Sequence, residues 1–166
     1  MGRDAAKAQG NPWYQARMEA AKYNDKLGSR EGAAEVTGIG AEALSNYERG
    51  LCKVIPVESA VILADTYNAP HLTNWYCTHE CPIGRETMRS VDPTKPLEQS
   101  TIQISRLMRK TQETKETLED IMADGHITAE EWSQLEEVLN YFDDLVATIE
   151  EFRTNVRAQL ISIHAP

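Results

Sequence analysis

SREGAAEVTGIGAEALSNYERG, residues 29–50, is the stretch that decides the fold. It reads as two short helices joined by a tight turn. Ser29 is an N-cap whose side-chain oxygen can accept a hydrogen bond from an orphaned first-turn amide, and Arg30 to Thr37 then make about two turns. Gly38 falls where a helix C-terminus wants a left-handed residue, and Ile39 plugs the underside of the turn. The second helix starts near Gly40–Ala41, runs to Arg49 and is closed by Gly50. Ala34 is small enough for the two helices to approach closely, while Leu44 and Tyr47 point back at the same core. Two helices so joined form a helix-turn-helix, a plan that presents its second helix outward to enter a DNA major groove. Gly32, inside the first helix, gives up roughly 1 kcal/mol against alanine, which points to a close approach by some other group.

Further helices flank the pair. Asn11-Pro12 is a cap followed by a proline at the first turn, and Trp13, Ala16, Arg17, Ala20, Ala21 and Tyr23 follow at helical spacing, so a first helix is expected from 12 to about 25. A fourth opens at Pro56, carries Val57, Val61, Ala64 and Tyr67 on one face, and stops near Asn68-Ala69-Pro70. HLTNWYC, residues 71–77, makes a short fifth. So small a core gains from a partner surface.

The stretch 29–50 resembles the Cro/lambda-repressor-type (XRE) helix-turn-helix. Ser29, Ala34, Gly38, Ile39, Leu44, Glu48 and Gly50 fall in its register without a gap, and the likeness runs through Pro56 and VESAVILADTYN, covering about residues 12–76. The resemblance implies a five-helix lambda-repressor-like DNA-binding domain over 11–77. It implies that Arg30, at the start of the second helix, faces a phosphate, and that Glu48 braces the domain through buried contacts. The exposed side of the third helix would then carry Ala41, Glu42, Ser45 and Asn46. Asn46 would pair with adenine, Glu42 accept from cytosine and Ala41 meet a thymine methyl. Arg49 and Lys53 would grip the DNA backbone. Family members often have Gln or Arg at the places of Ala41 and Glu42, so base readout here is weaker than usual.

Charge bears directly on that expectation. The 166-residue chain has formal charge −9; residues 11–70 carry six basic and eight acidic side chains, and the chain from Leu97 carries six and fourteen. Because phosphate neutralisation supplies most non-specific affinity, random DNA should be bound poorly, and grip should come from local cations and from dimerisation. An apolar run of 18 residues is absent, and MGRDAAKAQG lacks the apolar stretch of a signal peptide, so a cytoplasmic protein without a membrane span is expected. Three cysteines, an odd number, fit a reducing compartment.

Beyond the first domain the pattern changes. Residues 1–10 read as a flexible N-terminus and 78–96, with three prolines, as a linker. Over 97–163 the chain reads as a long two-helix antiparallel hairpin of coiled-coil character, completing an all-α fold. Ile104, Leu107, Thr111, Thr114, Leu118 and Ile121 step by three and four. After a turn, Trp132, Leu135, Leu139, Phe142, Val146, Ile149, Arg153, Val156, Leu160 and Ile163 do the same, widened by Val138, Leu145 and Phe152. A lone hairpin cannot cover so wide an apolar face, and pairing with the same hairpin of a second chain gives a homodimeric four-helix bundle.

Two stretches bear on metal binding. DIMADGHITAEE, residues 120–131, has the outline of a calcium loop, with Asp120, Asp124, Gly125, Ile127 and Glu131 in place but Met122 at a ligand position. The preferred alternative makes Asp124-Gly125 a turn and Thr128 with Glu131 a capping box. WYCTHECPIG sets Cys77 and Cys81 four apart with His79 between, which is compatible with zinc or thiol chemistry but lacks the paired Cys-x-x-Cys mark. Its YC…CPIG outline also resembles some bacterial helix-turn-helix regulators. The alternative is two reduced thiols packing the end of the domain. The four histidines are scattered, no glycine-rich phosphate loop precedes a helix, and neither an enzyme nor a cofactor is expected. The sequence thus points to a dimeric DNA-binding transcriptional regulator. A protein-interaction module on the same fold is the alternative, and a metal or thiol sensor through Cys77 and Cys81 a lesser one.

Overall fold

The computed structural model describes residues 9–164, with side chains described to Leu160; it is all-helical, and no strand occurs among the described residues. The stretch 1–10 read as a flexible N-terminus lies outside the described residues except for Gln9 and Gly10, as does the Ile163 side chain. Contacts divide the chain into residues 1–90 with 157–166, and residues 91–156.

In the first unit, α1 spans Pro12–Ala20, a 3-10 turn spans Asp25–Gly28, and α2 (Arg30–Thr37), α3 (Ala41–Glu48), α4 (Val57–Thr66), α5 (His71–His79) and α6 (Pro82–Thr87) follow. Asn11 Oδ1 accepts from the amides of Trp13 and Tyr14 at 2.9 and 3.3 Å and so satisfies two orphan donors of α1. The helix ends several residues earlier than its spacing predicts. The Lys22 amide turns to the Glu19 carbonyl, and Asn24 caps the 3-10 turn instead of continuing the helix.

The helix pair forms as the sequence predicts. Ser29 Oγ accepts from the Gly32 amide at 3.0 Å, and Gly38 adopts φ +72° with its amide on the Ala34 carbonyl. The fully enclosed small residue is Ala33, however, and Ala34 is half-buried. Gly32 now has a physical reason. A Cβ there would lie 2.1 Å from the Lys26 carbonyl oxygen, so the 3-10 turn packs directly on the α2 backbone. Trp13 of α1, Leu27 of the 3-10 turn, Leu44 of α3, Leu63 of α4 and Leu72 of α5 close the core. Burying each such side chain contributes about 1.5–3 kcal/mol.

The stretch 78–96, read as a linker, contains α6. Pro82 opens it, Cys81 caps it, and Gly84 lies so near the Cys77 carbonyl oxygen that a Cβ would sit 2.3 Å from it. Periodicity could not show a helix of six residues.

In the second unit, α7 (Leu97–Met122) and the part of α8 (Trp132–His164) up to residue 156 form the long helix pair. Gln103 bonds Thr148 at 3.2 Å and Thr111 bonds the Tyr141 hydroxyl at 2.7 Å; rising numbers on one helix meet falling numbers on the other, so the two run antiparallel. Gly125 makes the turn at φ +75°. Thr128 and Glu131 form the reciprocal bonds of a capping box, one turn ahead of the first helical residue. Asp124 Oδ1 accepts from the His126 amide at 2.9 Å, which uses it as a turn brace.

The facing of α8 corrects the expected stripe. Its side toward α7 is built from Leu135, Val138, Tyr141, Thr148 and Asn155, all buried, while Trp132, Leu139, Phe142, Val146 and Ile149 are exposed. Among the described residues no helix is long and apolar enough to cross a membrane.

Candidate nucleic-acid interface

The candidate surface is built on a buried ion cluster. Arg17 of α1 and Glu48 of α3 are 3 % and 2 % exposed. Arg17 Nε donates to Glu48 Oε1 at 2.5 Å and Nη2 to Oε2 at 3.1 Å, while Nη1 donates to the Leu27 carbonyl at 2.7 Å. Arg30 Nε completes the cluster on Glu48 Oε2 at 2.8 Å. The one carboxylate therefore ties α1, the start of α2 and the end of α3 together. Burial alone would ease the proton off Arg17, but the hydrogen bond and charge of Glu48 outweigh it and hold the guanidinium more firmly charged than usual. Burial, and then the Glu48 charge, push the neighbouring Tyr67 phenol up, so that hydroxyl stays neutral.

This geometry changes the part given to Arg30. Its side chain is half-buried and its Nε is committed to Glu48, so only its remaining N–H groups can reach a ligand. Glu48 is the buried brace that the family likeness implied.

Ala41, Glu42, Ser45, Asn46 and Arg49 all lie on or just beyond α3, and the steps from 42 to 45, 46 and 49 place four of them along one side. Glu42 is exposed in the first turn, where a carboxylate also complements the helix dipole. Arg49 folds back, its Nε donating to the Ser45 carbonyl at 3.2 Å and its Nη2 to Asn46 Oδ1 at 3.3 Å. Asn46 Oδ1 is the atom that would accept from adenine N6, and the Arg49 bond occupies one of its two lone pairs. Lys53 is exposed in the loop after α3. Ser45 and Arg49, with Tyr14, Ser29 and Arg30, also line an open groove of about 610 Å³ between α1, the N-terminus of α2 and α3. The groove was not foreseen, because it depends on where α1 crosses the pair.

The thiols take a different place. Cys77 and Cys81 are half-buried and pack against the core of the first unit, and burial, then the nearby Cys81, push the Cys77 thiol up, away from the reactive thiolate. Cys81 Sγ accepts from the Gly84 amide at 3.5 Å. His79 stacks on Trp75 with ring centroids 4.7 Å apart. Among the described residues no group of three or more potential ligands is placed to hold a metal ion.

Comparison with protein-family models, curated proteins and solved structures finds no match to the chain.

Proposed function

We propose that the chain is a sequence-specific DNA-binding transcriptional regulator acting as a homodimer, with α3 as its recognition helix. The observation that carries it is the left-handed turn at Gly38 between two eight-residue helices, the second bearing Glu42, Ser45, Asn46 and Arg49 along one side. The likeness of residues 29–50 to the Cro/lambda-repressor type supports the same assignment. In this scheme Glu42, Ser45 and Asn46 read base edges, Ala41 meets a thymine methyl, and Arg49 and Lys53 grip phosphates. Arg30 adds charge at the N-terminus of α2 through the N–H groups that Glu48 leaves over. Two protomers would reach half-sites about 34 Å apart.

Selection from random duplexes with the full chain tests this. A two-fold symmetric site should be enriched, and Asn46→Ala with Arg49→Ala should weaken binding to it at least tenfold. With Arg30, Arg49 and Lys53 of each protomer on phosphates, the log–log salt slope should be about −5.4, falling to about −3.6 for Lys53→Ala. A pool no richer than the starting library would end the proposal.

A second possibility is a protein-interaction module, favoured by one observation. Leu51, Val54, Val57, Val61 and Ile62 are all exposed in the loop after α3 and on α4, an unusual concentration for a small unit. A partner retained after nuclease treatment and lost with Val57→Asp would favour it.

A further inference from the structure

α8 has two contact-forming sides, one toward α7 and one left open. Toward α7, Leu135 and Val138 are buried beside polar groups: Thr148 takes a bond from Gln103, Tyr141 donates to the Leu107 carbonyl at 3.0 Å, and Asn155 Nδ2 donates to the carbonyls of Asp92 and Lys95 in the segment before α7. The outward side carries an apolar stripe of its own. Trp132, Leu139 and Val146 recur at seven-residue intervals and are 57 %, 53 % and 61 % exposed, with Phe142 and Ile149 beside them. Strict seven-residue spacing is the mark of a helix packed along another helix, not of a helix facing water.

We propose that this outer stripe is the seam on which a second copy of the chain docks, its α8 running antiparallel with Val146 at the two-fold axis. Charge selects the occupant and its direction. The first half of the stripe is flanked by Glu136 and Asp143, and the next seven-residue step after Val146 is Arg153. Antiparallel pairing about Val146 sets Arg153 of one copy level with Leu139 of the other. Glu136 and Asp143 are the neighbours of Leu139 one turn before and after on the same side. The two-fold repeats the match, since an isologous contact of one residue with another is made twice. A parallel pair would set Arg153 against Arg153, Glu136 against Glu136 and Asp143 against Asp143. Arg153 is exposed and bonds Glu150 of its own helix at 2.6 Å, a surface pair that can exchange carboxylates. The acidity of the hairpin opposes approach only within about 8 Å at physiological salt.

The seam deepens the dimeric part of the proposed function, but its test uses solution mass and no DNA, so either proposal can fail alone. Light scattering of the full chain from 1 to 100 µM should give twice the 18.6 kDa of one chain at the upper concentrations. Val146→Glu should raise the dissociation constant at least tenfold with unchanged helical circular dichroism; Val146→Ser, a milder change, should raise it several-fold. Arg153→Glu should weaken the dimer five- to tenfold, and adding Asp143→Arg should restore most of it. A monomer at 100 µM, a dimer indifferent to both position-146 variants, or a charge reversal that fails to restore binding would each overturn the proposal.

Discussion

Glu48→Gln keeps the size of a side chain that is 2 % exposed and removes its charge, leaving Arg17, itself 3 % exposed, with the Leu27 carbonyl as its remaining strong acceptor. The amide NH₂ would also present donors to a site where Arg17 and Arg30 already donate. Removing one partner of a buried pair costs about 3–5 kcal/mol, mostly from the charge left behind. At roughly 4–8 °C per kcal/mol for a domain of this size, the lower bound is a drop of about 12 °C in the unfolding midpoint. Trp13 and Trp75 meet edge to face at 5.9 Å inside the first unit, so their fluorescence during urea unfolding of the full chain, in a Trp132→Phe background, reports this unit. Arg17→Met combined with Glu48→Leu should recover most of the loss, because no buried charge then remains and half-exposed Arg30 can be hydrated. A loss under about 1 kcal/mol at unchanged denaturant dependence, or a double variant no better than the single one, would refute the claim that the cluster braces α1, α2 and α3.

Gly32→Ala should destabilise the first unit by about 1–3 kcal/mol in the same urea assay, because the added methyl meets a backbone carbonyl that cannot swing aside. At an open helical position the exchange would gain about 1 kcal/mol, so the sign alone decides. His71 is the pH probe. Burial lowers its pKa below the ordinary 6.5, so the unfolded chain binds more protons than the folded one near and below that pH. The contribution is fully present above pH 6.5 and is lost as pH falls from there toward the folded value. Midpoints measured from pH 8 to 5 should decline more steeply for the natural chain than for His71→Gln, and parallel curves would count against the burial argument.

The local pieces were legible because their causes are local. Ser29, Gly38 and the eight residues between them specify a capped two-turn helix and its left-handed exit, and the observed bounds of α2 agree with the reading. Thr128 and Glu131 likewise bond each other at short range. The all-helical character and the long C-terminal pair follow from apolar spacing, which is a property of the sequence alone. Relations between elements were not legible in the same way. That Gly32 admits the Lys26 carbonyl, that Arg30 is spent on Glu48, and that Arg49 lines a groove with Tyr14 all depend on where one helix crosses another. The facing of α8 shows the difference most plainly. Its sequence displays apolar residues wide enough for two contacts, and periodicity cannot say which side meets α7. Tertiary structure turned Tyr141, Thr148 and Asn155 inward, where Thr111, Gln103 and the 92–95 carbonyls supply their hydrogen bonds, and left Leu139 and Val146 outside. A buried polar group must find a partner at one place in space, whereas an apolar side chain accepts any dry neighbour, so the polar groups decide the facing.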